Sequence, residues 1–216
     1  MPIDKRPILK AVDEAKKSSK KRKFKQSVNL ILNLKDLDLK RPENRINELV
    51  ELPHSSKGDV KIVVLASGDM ALRAEKAKAA AVLSRADIER FVNDKKGAKK
   101  LVEDTDFFLA ETPLMSTVGK VLGPILGPRG KMPTPVPPTA AIEGIIDRHR
   151  KSLRVRLREQ PTAQLRIGSD DMSDEDLADN VQAVVNLFER RLAKGMRNIA
   201  RIYVKTTMGS PARVEF

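Results

Sequence analysis

Val28, Leu30, Leu32 and Leu34 alternate with Asn29, Ile31, Asn33 and Lys35, and this period of two predicts a strand buried on one face. The period returns at Leu153, Val155 and Leu157, interleaved with Arg154, Arg156 and Arg158. It returns again at Ala163, Leu165 and Ile167, interleaved with Gln164 and Arg166. Glu159-Gln160-Pro161-Thr162 reads as a turn, so these two runs predict a hairpin with one apolar and one arginine-rich face. A final long strand is expected over 199–207, with 212–216 returning beside it. Helical spacing puts Ile8, Ala11, Val12 and Ala15 on one face over residues 7–18. A second helix is expected after Ser173, its N-cap, with Asp174, Glu175 and Asp176 in the first turn, where the helix dipole favours anions. Met172 and Leu177 occupy staple positions, Leu177, Val181, Val184, Phe188 and Leu192 form the buried stripe, and Gly195 is the expected end.

The middle of the chain has a different rhythm. After a break at Pro53–Asp59, VKIVVLA is a near-continuous apolar run, as in a parallel strand buried on both faces. Ser67-Gly68-Asp69 opens an Ala-rich helix expected through about residue 81. KKGAKKLVED reads as a helix before a second buried strand at 106–111, and another helix is expected from about Pro138 to Arg150. Strands alternating with helices predict a small three-layer α/β unit. The fold class expected is therefore an α+β domain interrupted by an inserted α/β (Rossmann-like, three-layer) domain. Domain I is residues 1–58 with 152–216, domain II is residues 59–151, and the two chain crossings between them act as a hinge.

Charge adds a partner to this outline. The 216 residues carry 42 Lys+Arg against 29 Asp+Glu, a formal +13, which calls for a polyanion: nucleic acid or an anionic membrane surface. Residues 1–58 hold fifteen basic against eight acidic side chains, residues 152–216 eleven against nine, and residues 59–151 sixteen against twelve. Domain I thus carries most of the positive field and is the better RNA-binding candidate. No apolar run is long enough for a bilayer span and MPIDKRPILKAVDEAKK has no signal core, so a soluble, intracellular protein with no membrane partner is expected. The absence of cysteine excludes disulfides, thiolate catalysis and Cys-type zinc sites. With no Trp, six Phe and one Tyr, stacking of bases on aromatic platforms is not expected to dominate any RNA contact.

Residues 119–135, GKVLGPILGPRGKMPTP, hold four glycines and four prolines. Proline removes amide donors and glycine permits positive φ, so a long irregular loop with no regular helix or strand is expected. The Walker pattern fails here, because Ile125 stands where glycine is required and Met132 follows Lys131. This segment resembles the signature loop of the ribosomal protein L-one family, RNA-binding proteins of the large-subunit side stalk. The resemblance extends over the whole chain and is closest to archaeal members in length and in the basic N-terminal segment.

The resemblance implies an RNA site in three pieces. The first is SKKRKFKQSVN at 19–29, where cations flank Phe24 and the family roles fall on Lys23, Phe24, Ser27 and Asn29. The second is TTMGSPAR at 206–213, where they fall on Thr207, Met208 and Gly209. A threonine hydroxyl can both donate to and accept from a 2′-hydroxyl or base edge, a methionine can lie against a sugar-base surface, and glycine lets backbones approach. The third is Arg166 and Gly168, with Arg154, Arg156 and Arg158 on the same expected face and Arg201 and Lys205 sharing a strand face with Thr207. The partners implied are large-subunit rRNA, exit-site tRNA and the protein's own mRNA, bound by a monomer outside the ribosome. The location implied is the cytoplasmic ribosome. No cofactor, metal or catalytic residue is implied. Each piece also has a plain reading: a solvated basic helix end, a turn explained by Gly209 and Pro211, and a charged sheet face that resists edge pairing.

A nucleotide-using α/β enzyme with a basic accessory domain is the competing class, resting on the strand-turn-helix at Ala66-Ser67-Gly68-Asp69. Asp69 argues against it, since it would repel phosphate where helix amides should attract it. His54 and His149 lie far apart in sequence without an obvious nucleophile, and DDMSDED lacks the EF-hand glycine and spacing. A generic basic module without sequence preference is the third possibility.

Overall fold

The computed structural model describes residues 4–20, 22–41 and 44–215. In chain order the elements are α1 (Lys5–Lys17), β1 (Ser27–Leu34), β2 (Ile46–Glu51), β3 (Ile62–Leu65), α2 (Gly68–Lys76) and β4 (Ala81–Leu83). Next come α3 (Arg85–Arg90), α4 (Lys95–Asp104), β5 (Phe107–Glu111), α5 (Met115–Val121), α6 (Gly123–Arg129), β6 (Thr134–Val136) and α7 (Ile142–Arg150). The chain closes with β7 (Ser152–Leu157), β8 (Thr162–Ser169), α8 (Asp174–Arg191), β9 (Ile199–Thr206) and β10 (Ala212–Val214). Contacts divide it into two compact units, residues 1–58 with 151–216 and residues 59–150.

The first unit is built on an antiparallel sheet of order β10-β9-β1-β8. The period-two pattern of β1 sends Val28, Leu30, Leu32 and Leu34 into a core shared with Ile8, Val12, Leu177, Val181, Val184 and Phe188 of α1 and α8. The opposite face of the sheet carries the polar members of each alternation. Ser173 caps α8 by accepting from the Asp176 amide, as expected, and Met172 and Leu177 pack over Gly168, where an added Cβ would lie 2.6 and 2.5 Å from their side-chain atoms. Asn180, fully buried on α8, accepts from the His54 amide at 3.0 Å and donates to the carbonyls of His54 and Ile167 at 2.9 and 2.8 Å.

The hairpin expected over 153–167 does not form. β7 pairs with β2 in its own two-stranded sheet, while β8 pairs with β1. INELVE at 46–51 provides the partner, and sequence reading missed it because charged and amide side chains interrupt its apolar rhythm. α8 stops at Arg191 rather than Gly195, which at φ +56 opens a short 3₁₀ turn after Leu192 has closed the helix. The return strand covers Ala212–Val214, and Phe216 lies outside the described residues.

The second unit is a parallel sheet of order β4-β3-β5-β6 between two helical layers. Val63, Leu65, Phe108 and Ala110 face Ile88, Ala98, Val102, Val118, Leu122 and Leu126 of α3 to α6. On the other side α2 and α7 pack together and against β3, burying Met70, Ala74, Ile142 and Ile146. The helix expected through residue 81 ends at Lys76. Lys78 turns into the left-handed region at φ +55, and Ala81–Leu83 then become a fourth parallel strand beside Val63–Leu65. α7 starts at Ile142, four residues after the expected Pro138.

The segment 119–135 is mostly helical, contrary to expectation. Pro124 sits in the first turn of α6, where no intrahelical amide is needed, and Pro128 costs one hydrogen bond just before the helix ends. Gly130 closes it at φ +69, with the amides of Gly130 and Lys131 bonded to the carbonyls of Gly127 and Leu126, a Schellman arrangement. Two of its cations are taken up by α4. Lys131 Nζ donates to the carbonyls of Val102 and Thr105, both at 2.6 Å, at the C-terminus of α4, and Arg129 pairs with Glu103 at 2.5 Å. Lys131→Met strips charge-assisted donors from those carbonyls and is expected to cost about 1.5–3 kcal/mol in denaturant unfolding monitored on this unit.

Candidate nucleic-acid interface

Three strands and one turn bring most of the expected residues together at one end of the four-stranded sheet. β1 places Asn29 opposite Arg166 on β8 and Lys205 on β9, so these three form one row across the sheet. A β-bulge between Val28 and Asn29 shifts the β1–β8 register beside this row. One step nearer the strand end, the Thr207 hydroxyl accepts from the Ser27 amide at 3.0 Å and donates to the Ser27 carbonyl at 3.2 Å. A hydroxyl has two acceptor positions and one proton, so Thr207 retains one acceptor site. Met208 and Phe24 are 57% and 53% exposed, among the few large apolar side chains the protein leaves in solvent.

Gln26 fixes this rim, and sequence reading gave it no role. It is only 3% exposed, yet its amide is used at both ends. Nε2 donates to Ser19 Oγ at 2.8 Å and to the Lys20 carbonyl at 3.3 Å, while Oε1 accepts from the Met208 amide at 3.1 Å. Its backbone exchanges hydrogen bonds with Asp170, through the amide to Oδ1 and through the carbonyl to the Asp170 amide. The end of α1, the start of β1, the β9–β10 turn and the β8–α8 loop therefore meet on one residue. Gly209 completes the turn: a Cβ there would strike Thr206 Oγ1 and lie 3.3 Å from Ser19 Cβ. Gly168 is also demanded by packing, since Met172 and Leu177 fill its side-chain space, and it is buried.

Electrostatics grade the rim. Lys23 and Arg22 are exposed, while Lys21 lies outside the described residues. Lys25 is paired with Asp171 at 2.8 Å, and Lys16 with Asp174 at 2.6 Å. Arg166 is half-buried, and its Nε has no hydrogen-bond partner among the described residues. The arginines expected on one face are divided: Arg154 and Arg156 belong to the β2–β7 sheet and Arg166 to the larger one. Burial, with Arg156 nearby, holds the Arg154 guanidinium below its ordinary pKa.

In a doubly wound sheet a ligand binds at the carboxyl ends of the strands where their order reverses, here β3 and β5. At that point the buried Glu111 carboxylate accepts from the Ser67 amide at 3.0 Å and from Ser67 Oγ at 2.8 Å. A carboxylate of the chain itself thus takes the anion position ahead of α2. Among the described residues no cluster of His, Cys, Asp or Glu is arranged to hold a metal, and no helix is long and apolar enough to cross a membrane.

The profile of the ribosomal protein L1p/L10e family matches residues 15–210, nearly the entire chain. The chain belongs to that family. It is 46% identical to large ribosomal subunit protein uL1 of Pyrococcus horikoshii over 216 residues, covering 100% of this chain and 98% of the relative. Proteins of the same name from Methanobrevibacter smithii and Thermofilum pendens are 46% and 47% identical over 96% of the chain, covering 98% and 92% of those relatives. Family membership makes this L1p/L10e chain an archaeal-type ribosomal structural protein and not an enzyme.

The acidic side of the rim gives a pH signature. The hydrogen bond from Lys25, then that from Ser169, brings the Asp171 pKa down to about 2. A depressed carboxylate pKa contributes stability that is complete above an ordinary value of about 3.9 and is lost as pH falls through about 2. A carboxyl-detected NMR titration is expected to place the Asp171 midpoint near 2, and Lys25→Ala is expected to move it up toward the ordinary range. A midpoint unaffected by Lys25→Ala would mean that this ion pair does not persist in solution.

Proposed function

We propose that the protein binds a folded element of large-subunit rRNA through the rim of its antiparallel sheet. Lys23, Phe24, Ser27, Thr207, Met208 and Gly209 make the central contact, and Asn29, Arg166 and the Gly168 backbone continue it across the sheet. The observation carrying this reading is the rim itself, which carries two exposed apolar side chains and a hydroxyl with a spare acceptor site, the Met208 turn being held by a buried amide and Thr207 by the Ser27 backbone. RNA is recognised by shape, by 2′-hydroxyls and by phosphates, and this mix of hydroxyl, thioether, ring and cation suits it. Residues 1–58 with 152–216 act as the RNA-binding domain, interrupted by residues 59–151 as an inserted domain. The names of the relatives support a place in the large ribosomal subunit, and hence in the cytoplasm. There the rRNA element is the mobile stalk beside the tRNA exit site, and the protein aids release of deacylated tRNA. Outside the ribosome a monomer binds its own mRNA at a mimic of the rRNA site and represses its translation.

Retention of purified large-subunit rRNA on filters, against an excess of unrelated RNA at moderate salt, tests the reading. Specific retention is expected; equal competition by unrelated RNA would make this a generic basic module. Thr207→Val is expected to weaken rRNA binding by about 1–3 kcal/mol with the fold retained, because the exposed turn loses its hydroxyl and little packing. Lys23→Ala is expected to lower the slope of log K against log salt by about one unit while sparing discrimination between RNAs. A loss confined to the cognate RNA would assign Lys23 to base reading instead.

A further inference from the structure

The open face of the four-stranded sheet extends well past the rim. The strand register aligns Arg213, Tyr203, Ile31 and Gln164 in one row across all four strands. Lys205, Asn29 and Arg166 form the row on the rim side, and Arg201, Asn33 and Thr162 the row on the far side. Tyr203 therefore stands at the middle of the face, on one of the two inner strands. Its chain neighbours Ile202 and Val204 are fully buried in the core, whereas Tyr203 is only half-buried on the other side. Arg201 and Lys205 lie about 7 Å to either side of it along the strand, and Arg213 stands directly across on β10. Every charged side chain in these three rows is a cation: Arg166, Arg201, Lys205 and Arg213.

From this arrangement we infer that Tyr203 is a stacking platform for an unpaired RNA base. Arg201, Lys205 and Arg213 neutralise the phosphates on either side of that nucleotide. An aromatic ring on a sheet face ringed by cations is what single-stranded nucleic acid requires: a π-surface for the base and positive charge along its backbone. Ile31 extends the apolar floor beside the ring. Such a platform tolerates any base, because every base has a flat face, so it adds affinity and leaves shape reading to the rim. The inference rests on the RNA-binding reading and adds to it a position outside the rim. An acidic protein segment is the other occupant that these cations would attract, and the test separates it from RNA.

Tyr203 is the only tyrosine and the chain has no tryptophan, so intrinsic emission from the full-length protein reports this one side chain. The protein is titrated with purified large-subunit rRNA, with oligouridine and with polyglutamate. Binding is followed by filter retention, and emission is corrected for absorption by the RNA. Saturating rRNA is expected to quench the emission. Tyr203→Leu is expected to lose about tenfold in rRNA affinity, while Tyr203→Phe, which keeps a ring, stays within about twofold of the parent. Circular dichroism of both variants should match the parent, since the side chain lies on the open side of the sheet. If rRNA is retained but emission is unchanged and Tyr203→Leu binds like the parent, the platform is overturned and the rim reading stands. If rRNA is not retained at all, both fall. Quenching by polyglutamate but not by rRNA would make the face a protein-docking surface and overturn the proposal.

Discussion

A primary amide with two donors and an acceptor can join chain segments that have no ladder of their own, and Gln26 does this beneath the rim. The end of α1 lies more than a hundred residues of sequence from the β8–α8 loop and the β9–β10 turn, yet each of the three places a backbone or side-chain group on this buried side chain or its peptide. A buried amide with any of these bonds missing would cost about 1–3 kcal/mol for each orphaned partner. The arrangement is therefore held near one geometry. Met208 depends on that constraint most directly, since its own amide is bonded to the Gln26 side chain while its thioether stays in solvent.

The sheet divides its labour by parity. Inward positions of β1, β8, β9 and β10 make the core with α1 and α8, and outward positions keep the polar and basic side chains. Because side chains alternate at a period of two, hydrophobic burial and ligand contact are specified by interleaved residues of the same strands. Thr207 continues this logic past the end of β9, where it holds the start of β1 by both backbone groups of Ser27.

Much of this was legible from the sequence. The alternation at 28–34 and the final strand expected over 199–207 match β1 and β9 almost to the residue, and the stripe from Leu177 to Phe188 matches α8 except at its end, because burial on one side leaves a strong period. What failed was partnership. The period of Ser152–Leu157 said strand but not with which strand, and INELVE, with Asn47, Glu48 and Glu51 breaking its rhythm, concealed the answer. Ala81–Leu83 reads as the end of a helix because alanine favours helix and only three residues pair. The Gly-Pro run of 119–135 was judged by composition when position decides: Pro124 falls in a first turn and Pro128 at a last one. Gln26 carried no local signal at all, since its partners lie in distant segments, and Tyr203 could be placed among cations only once the register was known.

The α/β unit shares its strand order with folds that hold nucleotides at the point where Glu111 meets Ser67. A tethered carboxylate competes with any soluble anion at an effective concentration on the order of millimolar or more. It also never dissociates. A phosphate arriving at that point would first have to displace Glu111 from the Ser67 amide and hydroxyl, so the donors that open the way to α2 are already spent inside the chain.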